Sequence, residues 1–366
     1  MEYIVPVQFY SLVFYHIVLL VVFGMVLKLY KYGYAIETLG KRDLASPVLL
    51  LVILLYMGLR PISGKYFVDM GIYYKGFMNF AEGKELTDRN DYLWYAFVKF
   101  CSGFMSAKVY FFTCAAFYIV PLYKASKNWL YKDSYVVFLM LVASFSFWGY
   151  GTNGIRNGIA TSIFVLGLSY AYKNRYLHVG LLSLSYFIHG SMIIPLSAFI
   201  LSCLHKNPRT YIIGWILAVP LSLVLGSRLE LFFMSLGIGG DRVGYLVMTG
   251  LDNVFAYSGF RWDFLIYSFV PVYAGYYYII RNNFDDKIYK QIFNIYVIAN
   301  TFWVMIIRAS FSNRFAYLSW FLMAIVIFYP LFKRRFFRYQ QFNLIYFILL
   351  YFGFTYIMFW KYELQN

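Results

Sequence analysis

"SYVVFLMLVASFSFWGYGTNGIRNGIATSIFVLGLSYAY", residues 134–172, is a pair of apolar runs joined by a short polar stretch. Each run approaches the roughly 20 mostly apolar residues that a helix needs to cross a bilayer, and aromatic residues at the ends allow a shorter run. The stretch between them, 151–160, holds three glycines, two asparagines and Arg156. It reads as a helical hairpin whose turn carries one arginine.

The same punctuation recurs along the chain. Of its 366 residues, 62% are hydrophobic and only 13% charged, against about a quarter charged in a soluble domain. A soluble fold of this size would have no interior large enough for so much apolar surface. Aromatics make up 23%, and 39 tyrosines with 8 tryptophans suit a protein that lines two membrane–water interfaces. The expected class is an all-α polytopic integral membrane protein, with residues 1–366 as a single transmembrane domain. About twelve spans are expected, near 8–28, 44–60, 107–123, 134–150, 155–172, 176–188, 191–205, 210–226, 263–280, 291–308, 314–332 and 342–360. The opening "MEYIVPVQFY" has no basic leader and no small-residue cleavage site, so the first run is expected to stay as a helix.

The net charge of +16 does not point to nucleic acid, because no polar basic domain holds it. The basic residues instead punctuate the apolar runs. One alternating set of connections carries 18 of them against five acids, and the opposite set carries 14 against 11. By the positive-inside rule the first set is cytoplasmic and both termini lie outside. Lysine dominates inside, 11 to 7, whereas arginine leads outside, 8 to 6. Arginine's planar fork matches phosphate oxygens, so its use where topology does not require it points to function. The competing reading is that these arginines only snorkel to the interface.

Two outer connections are long. Residues 61–106 are too charged to span, and Asp91 to Phe104 reads as an in-plane amphipathic helix. Residues 227–262 have an apolar middle and glycine hinges, as in a lid. Its "GIGGD", 237–241, is at most a weak likeness to a phosphate loop. Cys101, Cys114 and Cys203 have no metal-ligand spacing and read as small buried hydrophobes. There is no metal cluster, nucleotide loop or nucleophile motif, so no metal and no cofactor are expected.

The chemistry-bearing residues gather on the outer side. Gly151 and Gly154 permit the tight turn, Asn153 or Thr152 would cap the next helix, and Arg156 projects from its first turn, where unpaired N–H groups favour an anion. The alternative is an arginine paired with a local carboxylate or carbonyl. His189, in "SYFIHGSMIIPLS", marks another outward turn and has a proton affinity suited to a general base, unless it is held structurally by the backbone. His16 reads as a packing or hydrogen-bonding residue inside the first span. Arg60 ends the second span, Asp69 follows in the first long loop, and Arg261 with Asp263 opens the ninth span. Two residues apart on a helix, Arg261 and Asp263 are not expected to share a face. Arg308 and Arg314 bracket "ASFSN" and could close on one anion.

Arg60 with Asp69 and Tyr73, "RNGIATSIFVLGLSYAYKNRYLHVGLLSLSYFIHGS", "FRWDF" and "NRFAYLSW" together resemble the EpsG family. These are the Wzy-type O-antigen and exopolysaccharide polymerases of bacterial inner membranes. The resemblance covers most of the chain in order. It implies a GT-C-like polymerase/ligase architecture and a glycosyltransferase active on the periplasmic face of the inner membrane. Such an enzyme moves a growing glycan from undecaprenyl diphosphate to the non-reducing end of a new lipid-linked repeat unit.

On that reading His189, Asp69 and Asp263 are candidate bases, and Arg60, Arg156, Arg261, Arg308 and Arg314 candidate diphosphate ligands. Tyr73, Tyr74, Trp94 and Trp262 could stack on sugars, or simply line the interface. Partners would be the undecaprenyl-diphosphate-linked oligosaccharide, membrane lipids, a chain-length-determining co-polymerase and a flippase, with no nucleic acid. The alternative is that the chain is itself a flippase or transporter of lipid-linked oligosaccharides, but such proteins place key charges near the bilayer midplane rather than at one rim. A membrane O-acyltransferase would need reactive groups on the cytoplasmic side, where none stands out.

Overall fold

The computed structural model describes residues 5–33, 44–84, 91–235, 259–309 and 312–363, and these are helical with no strand among them. The chain forms two compact units, residues 1–189 with 334–366, and residues 190–333.

The first unit begins with α1 (Tyr10–Tyr32), α2 (Ala45–Gly58), α3 (Val68–Ala81), α4 (Tyr92–Ser102) and α5 (Ala107–Trp129). It continues with α6 (Ser134–Val142), α7 (Phe145–Thr152), α8 (Ile155–Ser169) and α9 (Arg175–Ile188). The last helix of the chain, Gln340–Glu363, returns to pack on α1. At the centre, α8 lies against α5 and α9. It is buried from Asn157 to Val165 without a break, as expected of a helix that is apolar all round. His16 is the packing residue its position implied. Its Nδ1 lies 2.7 Å from the Leu12 carbonyl and its Nε2 3.3 Å from the Tyr356 hydroxyl.

The second unit holds α10 (Ile193–Leu204), α11 (Pro208–Ser235), α12 (Trp262–Gly275), α13 (Lys287–Met305), α14 (Asn313–Trp320) and α15 (Met323–Lys333). The Gln340–Glu363 helix of the first unit is therefore α16. α15 is the buried helix of the second unit, with every residue from Met323 to Phe332 inside. Asn300 ties this interior together. It accepts from Trp215 Nε1 at 2.7 Å and donates to the hydroxyls of Ser268 and Ser319 at 3.2 and 2.9 Å.

Twelve spans were expected, and the described residues do not supply twelve helices of spanning length. Five are long and apolar enough, or six if the bent pair α6–α7 counts as one. The apolar runs do form helices; α12 runs on without a break through the π-helical turn Tyr276–Arg281, but α2 and α9 are short, with 14 residues each. At 1.5 Å per residue such a helix is about 21 Å long, against a hydrocarbon core of about 30 Å. Hydropathy counts apolar residues and does not register where a helix stops.

The run 134–150 is one example. It breaks at Ala143–Ser144 into two helices bent by 66°, because Ser144 is extended and its hydroxyl donates to the Leu141 carbonyl at 2.8 Å. The long connections hold more helix than expected. Residues 61–106 contain the expected helix after Asp91, α4, which buries Trp94, Val98 and Cys101 on one face, and a further one, α3. α11 carries the chain helically to Ser235, while "GIGGD" and the rest of 236–258 lie outside the described residues. Cys101 and Cys114 are buried as expected, but Cys203 is exposed near the end of α10.

Candidate functional site

The turn between α7 and α8 is built by close approach. A Cβ on Gly158 would lie 2.6 Å from the Tyr150 carbonyl oxygen, so only glycine lets α8 run this close to α7. A Cβ on Gly151 would collide with the sulfur of Met57, which sets the end of α2 against the same turn. The expected side-chain cap does not form. Gly154 takes the N-cap position with no side-chain bond, and the Thr152 hydroxyl donates instead to the Trp148 carbonyl at 2.8 Å. Asn153 ends α7. The tight turn holds Thr152 within α7, two residues before the Gly154 N-cap.

Arg156 is the second residue of α8, and its Nη1 lies 2.8 Å from Asp91 Oδ2. The same oxygen lies 3.9 Å from His189 Nδ1, within ion-pair range but beyond hydrogen-bond length. The three side chains are nearly enclosed, at 14%, 6% and 8% exposure for Arg156, Asp91 and His189. Each reaches the cluster from the end of a different helix. Asp91 is the N-cap of α4 in the left-handed region, with φ 55°, a conformation that aspartate tolerates better than most residues. Its backbone carbonyl accepts from the Trp94 N–H at 2.9 Å, while its carboxylate makes no cap bond and faces Arg156. His189 ends α9 in an extended conformation, its N–H donating to Ser185. Because α9 packs on both α8 and α4, the cluster is a product of packing within the first unit.

Arg156 thus has the carboxylate partner that was the alternative to an open anion seat. Asp91 was read from the sequence only as the start of an amphipathic helix. The available signal was its place as an acid directly before that helix, but 65 residues of chain separate it from Arg156.

Arg60, just past α2, is 3% exposed. Its Nη1 donates to the Met57 carbonyl at 2.6 Å, and its guanidinium carbon lies 5.7 Å from the Phe111 ring centre. Nε and Nη2 have no hydrogen-bond partner among the described residues. Open donors on a buried guanidinium are costly and are retained where a ligand uses them. Asp69 lies in the first turn of α3, with Tyr73 one turn later. Tyr74 is 38% exposed, whereas Trp94 is 4% exposed and packs against Tyr73, Phe97 and Tyr110. Stacking on a sugar needs an open ring face, which Trp94 lacks.

The second unit holds a separate group. Arg261 and Asp263 were not expected to share a face, yet they form a two-pronged pair, Nε to Oδ1 at 2.9 Å and Nη2 to Oδ2 at 2.8 Å. The helix starts at Trp262, so Arg261 precedes it and folds back onto the first turn. The i to i+2 rule applies only inside a helix. The Arg261 guanidinium also lies 3.7 Å above the Phe264 ring. Trp262 is 55% exposed, and its ring lies 4.4 Å from that of Phe260 at a tilt of 46°. Arg308 follows α13, and its guanidinium is 6.0 Å from the Phe260 ring. Arg314 is the second residue of α14. Residues 310 and 311 between them lie outside the described residues.

Glu230 on α11, not singled out from the sequence, is 8% exposed. Burial pushes its carboxyl up to about 7, against the opposing pull of Arg308.

Neither a curated protein nor a solved structure matches the chain. Residues 46–366 match the EpsG family, so the match takes in the arginines, Asp91 and His189. The chain therefore belongs to the EpsG family, whose members are Wzy-like polymerases of exopolysaccharide or O-antigen type.

Proposed function

We propose that this chain is an inner-membrane polysaccharide polymerase working on the periplasmic face. It transfers a growing glycan from undecaprenyl diphosphate onto the non-reducing end of a new lipid-linked repeat unit. The observation that carries this reading, beside the family, is Arg60. It is a buried guanidinium with two open donors, on a helix end held by Met57 and Gly151 against the turn that presents Arg156.

In the transfer, the acceptor hydroxyl oxygen attacks the anomeric carbon, the carbon–oxygen bond to the diphosphate breaks, and the electron pair leaves with the diphosphate. Charge grows on that leaving group. Fixed guanidinium groups in a nearly dry site stabilise it without reorganising. Arg60 and Arg156 are suited to this role, with Asp91 orienting Arg156 until the headgroup arrives.

The acceptor's proton requires a base. His189 is the first candidate, because its imidazole stands beside the Asp91 carboxylate, which would orient the ring and balance its charge as it takes a proton. Asp69 is the second. Asp263 is the weakest of the three, since Arg261 engages both of its oxygens.

The test is polymerisation by purified protein in nanodiscs, given a lipid-linked repeat unit and no nucleotide sugar. A ladder of longer lipid-linked glycans, lost in Arg60→Ala and Arg156→Ala variants that still insert and fold, is the expected result. Movement of the unpolymerised unit across a vesicle membrane, with no ladder, would replace the polymerase with a flippase.

A further inference from the structure

α11 carries no charged residue between Arg209 and Arg228, and the helix continues to Ser235. Glu230 lies on that extension, one turn beyond Gly226 and so on the same face. Arg308 crosses α11 at this glycine. A Cβ there would lie 2.9 Å from Arg308 Cδ and 3.5 Å from its Nε. Glycine therefore makes room for the arginine stem one helical turn from Glu230. Glu230 is more than nine-tenths buried, and its Oε1 has no hydrogen-bond partner among the described residues. A carboxylate enclosed with an open oxygen is costly as an anion, and its affinity for a proton is correspondingly raised, with Arg308 opposing.

Other charges nearby are placed elsewhere or engaged. Arg228 is exposed on α11. α11 packs on α13 and on the π-helical turn Tyr276–Arg281. Lys287 and Lys290 stand in the first turn of α13, with Arg281 just before it, at the end opposite Arg308. Arg261 is bound to Asp263. Among the described residues, Arg308 is the charge that acts on Glu230.

We infer that Arg308 and Glu230 form a proton-coupled seat for a lipid-linked diphosphate headgroup, in which the anion enters beside Arg308 as Glu230 takes up a proton from solvent. This rests on the reading of Arg308 as a diphosphate ligand. The only bond made is O–H on Glu230, and no group is transferred. An incoming diphosphate would otherwise face a carboxylate across one helical turn, and protonation removes that repulsion. The polymerisation reaction brings two lipid diphosphates to the enzyme, one on the donor and one on the acceptor, so an anion seat besides Arg60 and Arg156 has a use. Phe260, 6.0 Å from the Arg308 guanidinium, and the exposed Trp262 packed against it supply an apolar surface.

The experiment is titration calorimetry of the full-length protein in nanodiscs with farnesyl diphosphate, in two buffers of different ionisation enthalpy. Wild type is expected to take up protons on binding and to bind more weakly as the pH rises from about 6 to 8, by at most about tenfold per pH unit. Glu230→Gln is expected to bind with that extra uptake gone, leaving only the ligand's own titration. Proton uptake identical in wild type and Glu230→Gln would overturn the coupling while leaving the polymerase reading intact. Equal binding by wild type and Arg308→Ala would remove Arg308 as a ligand and the seat with it. Inorganic diphosphate binding as tightly as the farnesyl ester would overturn the assignment to a lipid. Should Glu230→Gln fail to fold, infrared difference spectra of wild type replace it. A protonated carboxyl band appearing on ligand addition supports the coupling, and its absence ends it.

Discussion

Arg156 Nη1 and Asp91 Oδ2 lie 2.8 Å apart, joining the first turn of α8 to the N-terminus of α4. With Asp91 at 6% and Arg156 at 14% exposure, removing either partner takes from the other, enclosed charge an opposite charge 2.8 Å away.

Asp91→Ala is therefore expected to lower stability by about 3 kcal/mol, the range for breaking a buried pair. Asp91→Ala with Arg156→Ala together should cost less than the sum of the two single changes. Thermal unfolding of the four proteins in one detergent measures this. Additive losses would show that the pair is not coupled.

His189 and Asp91 share one oxygen, which predicts a split between the two variants in kinetics. His189→Gln should reduce the polymerisation rate by about 100-fold with little change in apparent KM, as for loss of a general base. Asp91→Asn should reduce the rate by less and shift its pH profile. A His189→Gln enzyme with wild-type rate would leave Asp69 as the base to examine.

Arg60→Lys keeps a positive charge but loses the fork that donates to Met57 and presents two further N–H groups. Lysine does not reproduce that geometry. Activity should fall by about 10-fold or more while the protein still folds, read from glycan ladders at equal protein. Full activity in Arg60→Lys would reduce Arg60 to a point charge.

Gly158→Ala places a methyl 2.6 Å from the Tyr150 carbonyl. Backbone cannot yield as a side chain can, so the α7–α8 hairpin must open, at an expected cost of about 1–3 kcal/mol. Gly76→Ala and Gly180→Ala, inside helices and with an added Cβ that would meet nothing within 4 Å, should not lower stability and are expected to raise it slightly. Unfolding temperatures of the three variants test the contrast.

Glu230 gives stability a pH dependence of definite sign. Its folded carboxyl titrates near about 7, above its usual value of 4.5. Between those two values the folded state holds more protons than the unfolded state, so stability falls as pH rises through that window. Glu230→Gln should match wild type near the acid end and exceed it near pH 8. Parallel unfolding curves at all pH values would place the charged carboxylate in a wetter setting.

The sequence by itself determined the membrane class, the helical nature of the chain, its family and the candidate arginines. Those properties follow from local composition and from motifs a few residues long. Apolar runs must become helices in a bilayer because backbone groups there have no water to bond. It also located the turn at Gly151–Gly154 and the helix start that carries Arg156.

Only the tertiary structure decided which groups meet. Asp91 reaches Arg156 and His189 because α4, α8 and α9 end together, and Arg308 comes to act on Glu230 because Gly226 lets its side chain cross α11 one turn away. Helix lengths were decided there too, as at Ser144, where one side-chain hydrogen bond accompanies a break that hydropathy cannot register. The physical reason is common to these cases. Hydropathy sums over residues, whereas a paired charge or a helix break depends on the position of single atoms set by neighbours far away in the chain.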